Sequence, residues 1–396
     1  LIEAKVGQGT FVRFQRNTAP TPSADALIDM TVNSPPSIAG DGSDLRVWNG
    51  LSECTIAPDP ATFMRYRPPA GTSRHREVGV SWLARRLRDA SADRLLVCPG
   101  TQGALLVVLM LLAEKNDVIC VEALTYPGLI LLAQHLRIRL VPVDMDEHGA
   151  VPESLANVCE QHRPKAFYCM PTLHNPTTIS MPLQRRREIA KVLRKYQLPL
   201  IEDDNYWPLI PDNADTVPPL SALVPDLAYY LSGLSKSLTP ALRIAYMVTP
   251  DRLTAERAAV ILRATASMAS PLNAELAARW AEDGTASAVL AAIRRETAER
   301  QSLAQRALSA FMPNADTCAF HLWLRLPGVW TRAAFAEQLR LHGISVALSD
   351  AFSVGTAPEA VRLSLGGPDT RADLAHCLDR IVMLLTAGSP VSSVIV

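Results

Sequence analysis

Between Asp93 and Thr249 short apolar runs alternate with helical patterns, and this alternation constrains the fold more than any other feature of the chain. Strand-like runs fall at residues 94–98, 118–122, 139–143, 166–170, 198–202, 227–231 and 243–248. Helical patterns lie between them, near 103–113, 129–135, 154–162 and 183–196. Such an order predicts an α/β fold with a mostly parallel, seven-stranded sheet covered by helices. Ligands of such sheets bind at the carboxyl ends of the strands. Gly100, Thr101, Gln102, Tyr126, Asn175, Asp203 and Lys236 all fall at those ends. An Ala-, Arg- and Glu-rich stretch at 274–310 reads as two helices split near Asp283-Gly284. Beyond it, strand patterns at 321–326, 344–348 and 361–365 and helical patterns at 331–342 and 370–385 predict a smaller α+β domain. The expected division is 49–282 for the large domain and 283–396 for the small one, preceded by a linker and arm at 15–48.

Lysine plus arginine and aspartate plus glutamate each number 39, so no basic excess points to nucleic-acid binding by this chain itself. The longest apolar run, 104–113, is too short to span a membrane. The N-terminus carries no basic segment followed by an apolar one, so no signal peptide is read there. The 7 cysteines are scattered without a C-x-x-C pair. Cys98, Cys120 and Cys169 sit in apolar runs and read as buried free thiols of a reducing compartment, the cytoplasm. The 8 histidines show no metal-ligand spacing, and no metal is expected.

The chemistry centres on Lys236, in Leu231-Ser232-Gly233-Leu234-Ser235-Lys236-Ser237-Leu238-Thr239-Pro240-Ala241-Leu242-Arg243. A lysine amine can form an imine with an aldehyde cofactor, and nearby hydroxyls and an arginine can hold a phosphate. Pro99-Gly100-Thr101-Gln102-Gly103-Ala104-Leu105 follows a strand and opens a helix, where free backbone N–H groups favour an anion. Ile201-Glu202-Asp203-Asp204-Asn205-Tyr206 ends a strand in acid, as a carboxylate facing a pyridinium nitrogen requires. Each piece alone is weak, since a glycine before a helix or an acid at a turn is common.

Together they resemble the class I/II aminotransferases, the fold-type I proteins that use pyridoxal 5'-phosphate (PLP). The lysine segment is similar to that family's S-x-S-K-x-x-x-P-x-x-R signature, with Gly233 three residues before the lysine, where Ser or Thr is usual. The resemblance implies Lys236 as the attachment point, Asp203 against the ring nitrogen, and Tyr206 and Asn175 on the cofactor's phenolic oxygen. It implies Tyr126 stacked on the ring, and Gly100, Thr101, Gln102, Ser235 and Arg243 around the phosphate, with the hydrogen bond missing at Gly233 either lost or supplied by Ser232. Thr178 in Asn175-Pro176-Thr177-Thr178 stands where the family has glycine. His174 reads as a structural neighbour and Asp204 as a turn residue. Tyr66 matches the tyrosine that crosses to the partner subunit's phosphate, which implies a homodimer. Arg362, in Val361-Arg362-Leu363-Ser364, matches the arginine that grips a substrate carboxylate, a task that suits its planar fork.

The start of the chain points to a further resemblance. Leu1-Ile2-Glu3-Ala4-Lys5-Val6-Gly7-Gln8-Gly9-Thr10-Phe11-Val12 is similar to the last strands of the wing in GntR-type winged helix-turn-helix domains. Pro- and Ser-rich segments at 18–23 and 33–36 follow as linker and arm, then the aminotransferase-like body, whose resemblance implies that the arm near 32–37 and loops of both subunits set side-chain specificity. That order resembles MocR-type regulators, and Phe320-His321-Leu322-Trp323-Leu324-Arg325-Leu326-Pro327 is similar to a stretch common among them. The resemblance implies that residues 1–14 are a remnant of a wing, that DNA is met only through a winged helix ahead of this chain, and that the PLP site senses an amino acid or amine. A terminal hairpin on a working aminotransferase is the alternative, and the cofactor residues serve both.

Overall fold

The computed structural model of the chain describes residues 2–5, 9–12, 27–38, 65–212 and 217–388. Its strands, in chain order, are β1 (Ile2–Lys5), β2 (Gly9–Val12), β3 (Ile28–Met30), β4 (Leu95–Cys98), β5 (Val118–Glu122), β6 (Arg139–Val143), β7 (Met145–Asp146), β8 (Gly149–Ala150), β9 (Ala166–Cys169), β10 (Leu200–Asp203), β11 (Ala228–Gly233), β12 (Ala245–Val248), β13 (Asn314–Ala315), β14 (His321–Arg325), β15 (Ile344–Leu348) and β16 (Ala360–Ser364).

The seven apolar runs form one sheet in the order β4-β12-β11-β10-β9-β5-β6. Within it β12 runs antiparallel to both neighbours and every other pairing is parallel. Both faces are covered. Along β5, Ile119 and Val121 enter one core and Cys120 the other, and along β9, Ala166 and Tyr168 oppose Phe167 and Cys169 in the same way. Two-sided burial is why these strands read as continuous apolar runs rather than alternating ones. The helix Gly100–Leu112 packs under the sheet with Leu105, Val107 and Val108 fully buried. Each such side chain stabilises the fold by roughly 1.5–3 kcal/mol.

A second sheet, in the order β13-β14-β16-β15-β3, packs on the helices Arg332–Leu341 and Arg371–Ala387 through Phe335, Leu339, Leu378 and Ile381. The stretch at 274–310 divides into Pro271–Glu282 and Thr285–Leu308. The break falls at Gly284, whose φ of 84° suits glycine.

The structure departs from the sequence reading in several places. Ile28–Met30, read as part of the arm, is an edge strand of the second sheet, pairing parallel with Ile344–Val346; three residues are too few to show a period. The helices Ser73–Leu83 and Arg252–Thr265 were not anticipated. The strand expected at 198–202 runs on to Asp203, because Asp203 still pairs with Leu231 of β11. At the start of the chain β1 and β2 pair as an antiparallel hairpin, Ile2 opposite Val12. The rest of the expected wing remnant and the linker at 18–23 lie outside the described residues. Among the described residues no helix is long and apolar enough to cross a membrane.

Candidate functional site

The strands β4, β5, β9, β10 and β11 point the same way, so the segments that follow them converge at one edge of the sheet. There they enclose a cavity of about 280 Å3, near the lower end of small-molecule sites at roughly 300–1,000 Å3. Thr101, Gln102, Tyr126, Asn175, Asp203, Tyr206, Ser235, Lys236 and Arg243 line it from the large sheet, and Arg362 reaches it from β16. The structure thus brings together ten of the residues singled out from sequence. Gly100 borders the same cavity through Arg243. Tyr66 stays outside it, 87% exposed.

One end is cationic and rich in N–H groups. Gly100 takes φ 75° as it opens the helix Gly100–Leu112, and the Arg243 guanidinium lies over it. A Cβ at Gly100 would stand 2.8 Å from Arg243 Nη2. Ser235 lines the same cavity. Ser232 does not: it is fully buried, turned to Trp207 Nε1, which donates to its hydroxyl at 3.0 Å, so of the two possibilities at Gly233 the supply by Ser232 is corrected and the loss stands. The space at Gly233 is taken instead by Thr101 Oγ1 and Asn205 Oδ1, both within clashing range of any Cβ there. Asn205, which sequence reasoning missed, accepts from Thr101 Oγ1 at 2.9 Å and from the Gly233 N–H, and donates to Asp203 Oδ1.

The two adjacent acids at the end of β10 have separate fates. Asp203 is buried and faces the cavity, with Tyr168 donating to Oδ2 at 2.9 Å and Asn205 to Oδ1 at 2.5 Å. Burial pushes its carboxyl up to about 7, with Asp204 adding to the rise and the Tyr168 hydrogen bond and Lys236 opposing it. Asp204 turns away and pairs with buried Arg86 at 2.7 Å, while Tyr230 donates to it at 3.1 Å. Tyr168 was also missed; it sits in an apolar strand run that gives no sign of a functional hydroxyl.

At the middle of the cavity burial lowers the Lys236 ammonium to about 8, assisted by Arg362 and Arg243 and opposed by Asp203. Lys236 Nζ donates to the backbone carbonyl of Asn33 at 2.5 Å. Arg362 donates to Asn175 Oδ1 at 2.8 Å and to the backbone carbonyl of Thr31, and stacks on Phe352 with 4.9 Å to the ring centre. Burial lowers this guanidinium to about 10, and its Nε has no partner. The arm therefore forms a roof over both cationic side chains. Its seat is tight: a Cβ at Gly367 would collide with the Asp29 carbonyl and one at Gly366 with that of Ser34. Thr178 adopts φ 62° where glycine is usual, buried, with its hydroxyl donating to the Thr177 carbonyl. His174 is buried and bonded to Thr177 and to the Leu124 carbonyl, away from the cavity.

A poised amine, a buried acid and an anion cradle, set at the strand ends of a seven-stranded α/β sheet, are the parts of a protein that holds a phosphorylated aldehyde on a lysine. The aminotransferase class I and II family model matches residues 26–381, and the chain belongs to that family, whose cofactor is pyridoxal phosphate. Over 388 residues it is 31% identical to the uncharacterized HTH-type transcriptional regulator YdeF of Bacillus subtilis (strain 168), covering 96% of this chain and 81% of that protein. To a second such regulator of that organism, YdfD, it is 28% identical over 297 residues, covering 73% of this chain and 61% of the relative. Among solved structures, the α-aminoadipate aminotransferase LysN of Thermus thermophilus, complexed with N-(5'-phosphopyridoxyl)-L-leucine, shares the fold. The TM-score is 0.82 at 20% identity, covering 91% of this chain and 92% of that one.

Proposed function

We propose that this chain is the PLP-binding, effector-sensing part of a MocR/GntR-type transcriptional regulator. The cradle fits the cofactor: Arg243, Ser235 and the N–H groups at Gly100, Thr101 and Gln102 would hold its phosphate, Asp203 would face its ring nitrogen, Tyr126 would stack on its ring and Lys236 would take its aldehyde. When bound, PLP supplies an electrophilic carbon for amine capture and an electron-withdrawing ring. Asp203 holds a proton on the ring nitrogen, Asn175 and Tyr206 serve the ring oxygen, and Arg362 takes a carboxylate of the effector. Tyr66 reaches the phosphate site of a second subunit in a homodimer. The proposed organisation keeps a wing remnant at 1–14, a linker and arm at 15–48, a large domain at 49–282 and a small domain at 283–396, in a cytoplasmic protein that meets DNA through a winged helix.

The observation that carries the sensing reading is the arm. Thr31 and Asn33 hold Arg362 and Lys236 through backbone carbonyls. An amino acid whose carboxylate goes to Arg362 would compete with the Thr31 carbonyl there, and its amine, captured by the cofactor, would free Lys236, so both contacts of the arm depend on the ligand. The arm joins the sheet site to whatever lies N-terminal of it, so a ligand that favours one seat of the arm shifts the population of the whole protein. The test is a titration of the full-length gene product on its own promoter DNA, with and without candidate amino acids. The reading predicts a ligand-dependent affinity that is lost in Lys236→Ala and in Arg362→Leu. Ligand-independent affinity, or turnover at rates typical of metabolic enzymes, on the order of 1–10³ per second, refutes it. That second outcome selects a working aminotransferase, in which the same residues would serve and Lys236 would also move the proton.

A further inference from the structure

A relay of neutral groups runs from the body of the protein through the arm to Tyr206. We propose that Asn33 and His321 are positioning residues that fix the direction of the Tyr206 hydroxyl hydrogen, so that Tyr206 can only donate into the cavity. The inference rests on the PLP reading above and adds two residues to it.

The polarity follows from one group that cannot donate. His321 Nε2 lies 3.1 Å from the backbone carbonyl oxygen of His174, so Nε2 carries a hydrogen. His321 is fully buried; burial, and after it the Arg362 charge, push its imidazole down to about 3, so it is neutral and has no second N–H. Its Nδ1 must therefore accept, and the atom facing it at 3.2 Å is the Asn33 amide nitrogen. The orientation of the Asn33 amide is thereby settled by its neighbours. The same nitrogen lies 2.8 Å from Tyr206 Oη. Both amide hydrogens are committed, one to His321 and one to Tyr206. Tyr206 receives a hydrogen bond, and its own hydrogen must leave in another direction. Among the described residues no acceptor takes it, and Tyr206 lines the cavity. Burial raises the Tyr206 phenol above its ordinary range, so the hydrogen is retained. The charged and titratable groups facing this hydroxyl are Arg362 on β16, Asp203 on β10 and Tyr126 after β5, and the charges of Arg362 and Asp203 are opposed.

Asn175 is oriented by the same logic. Its Oδ1 accepts from Arg362, which leaves its amide nitrogen as the free end. Two donors of fixed polarity then serve the ring oxygen. Asn33 belongs to the arm and also caps Lys236 with its carbonyl, so a displaced arm releases Tyr206 as well.

A donor at the ring oxygen stabilises its negative charge and lowers the pH at which the bound cofactor loses its proton. The experiment uses the PLP-loaded protein and reads the pH midpoint of its visible absorption change. Asn33→Leu should raise that midpoint by on the order of one unit, a tenfold change in the proton equilibrium, towards the value of Tyr206→Phe. His321→Phe should move it the same way by less. His321→Gln should restore it, because a glutamine amide can donate to the His174 carbonyl while its oxygen accepts from Asn33. In the Tyr206→Phe background Asn33→Leu should add nothing, since the relay has no other outlet. An Asn33→Leu shift that persists undiminished in that background, or no shift at all, overturns the relay. A protein that takes up no PLP, with no visible band and no borohydride label on Lys236, instead overturns the functional reading itself.

Discussion

The floor and the roof of the cavity are built by different means. The floor comes from the ends of sheet strands: Gly100 after β4, Asp203 closing β10, Lys236 after β11. Its side chains are locked by neighbours, as Asp203 is by Tyr168 and Asn205. The roof is a short irregular stretch after an edge strand of three residues, and it reaches the site through two backbone carbonyls and one amide. A ligand oxygen can replace a backbone carbonyl on an arginine with little net loss, whereas no ligand replaces a strand end. The floor is suited to keeping a cofactor and the roof to answering what the cofactor captures.

Changes to the floor should act on cofactor retention or stability, and changes at the roof on ligand response. The largest effect is expected for Lys236→Ala, which should abolish covalent retention while the phosphate contacts and the fold remain; intact mass after borohydride treatment measures it. Asp204→Asn should come next. It leaves Arg86 buried without its partner, and removing one member of a buried pair costs about 3–5 kcal/mol in denaturant unfolding, with cofactor uptake unaffected. If Asp204→Asn instead impaired the cofactor and Asp203→Asn did not, the assignment of the two acids would be reversed.

Arg362→Leu should leave PLP bound and weaken carboxylate-bearing amino acids on the order of 10²-fold, as losing a buried charged partner does, read from the absorption change on titration. Equal weakening of an amine without a carboxylate would break the distinction between floor and roof. Asp203→Asn should have a pH-dependent effect on the cofactor-free protein. Burial raises the folded carboxyl to about 7, so the stability of its protonated form is present below the unfolded value near ~4 and lost as pH rises through about 7. The neutral amide escapes that loss. Its stabilising effect should be absent near pH 3 and fully developed above pH 8, at a few kcal/mol, in thermal melts across that range. The smallest effect, about 1–3 kcal/mol of overpacking, is expected for Gly233→Ala. Its methyl group meets Thr101 Oγ1 and Asn205 Oδ1, and Asn205→Ala should relieve part of it.

The floor was legible in the sequence because strand-end chemistry is local. Asp203 and Tyr206 lie in one short run, and Lys236 and Arg243 in another. The strands were legible because burial on both faces leaves uninterrupted apolar runs. The roof was not. Asn33 meets Tyr206 across 173 residues and His321 across 288, and two of the arm's contacts use backbone carbonyls that every residue carries. Tyr168 and Asn205 were hidden for a related reason: one sits in an apolar strand, and the other acquires its role only because Gly233 leaves it room. The family pattern marked Gly233 as a gap, but only packing shows what fills it.

In the proposed sensor the arm is the element that reads the ligand. Hydrogen exchange of residues 27–38 in the PLP-loaded protein tests it most directly, with and without an amino acid whose binding is confirmed by the absorption change. The account predicts faster exchange in this segment on ligand addition, and no such change in Arg362→Leu or with an amine that lacks a carboxylate. An arm whose exchange stays the same while the ligand is demonstrably bound would contradict it.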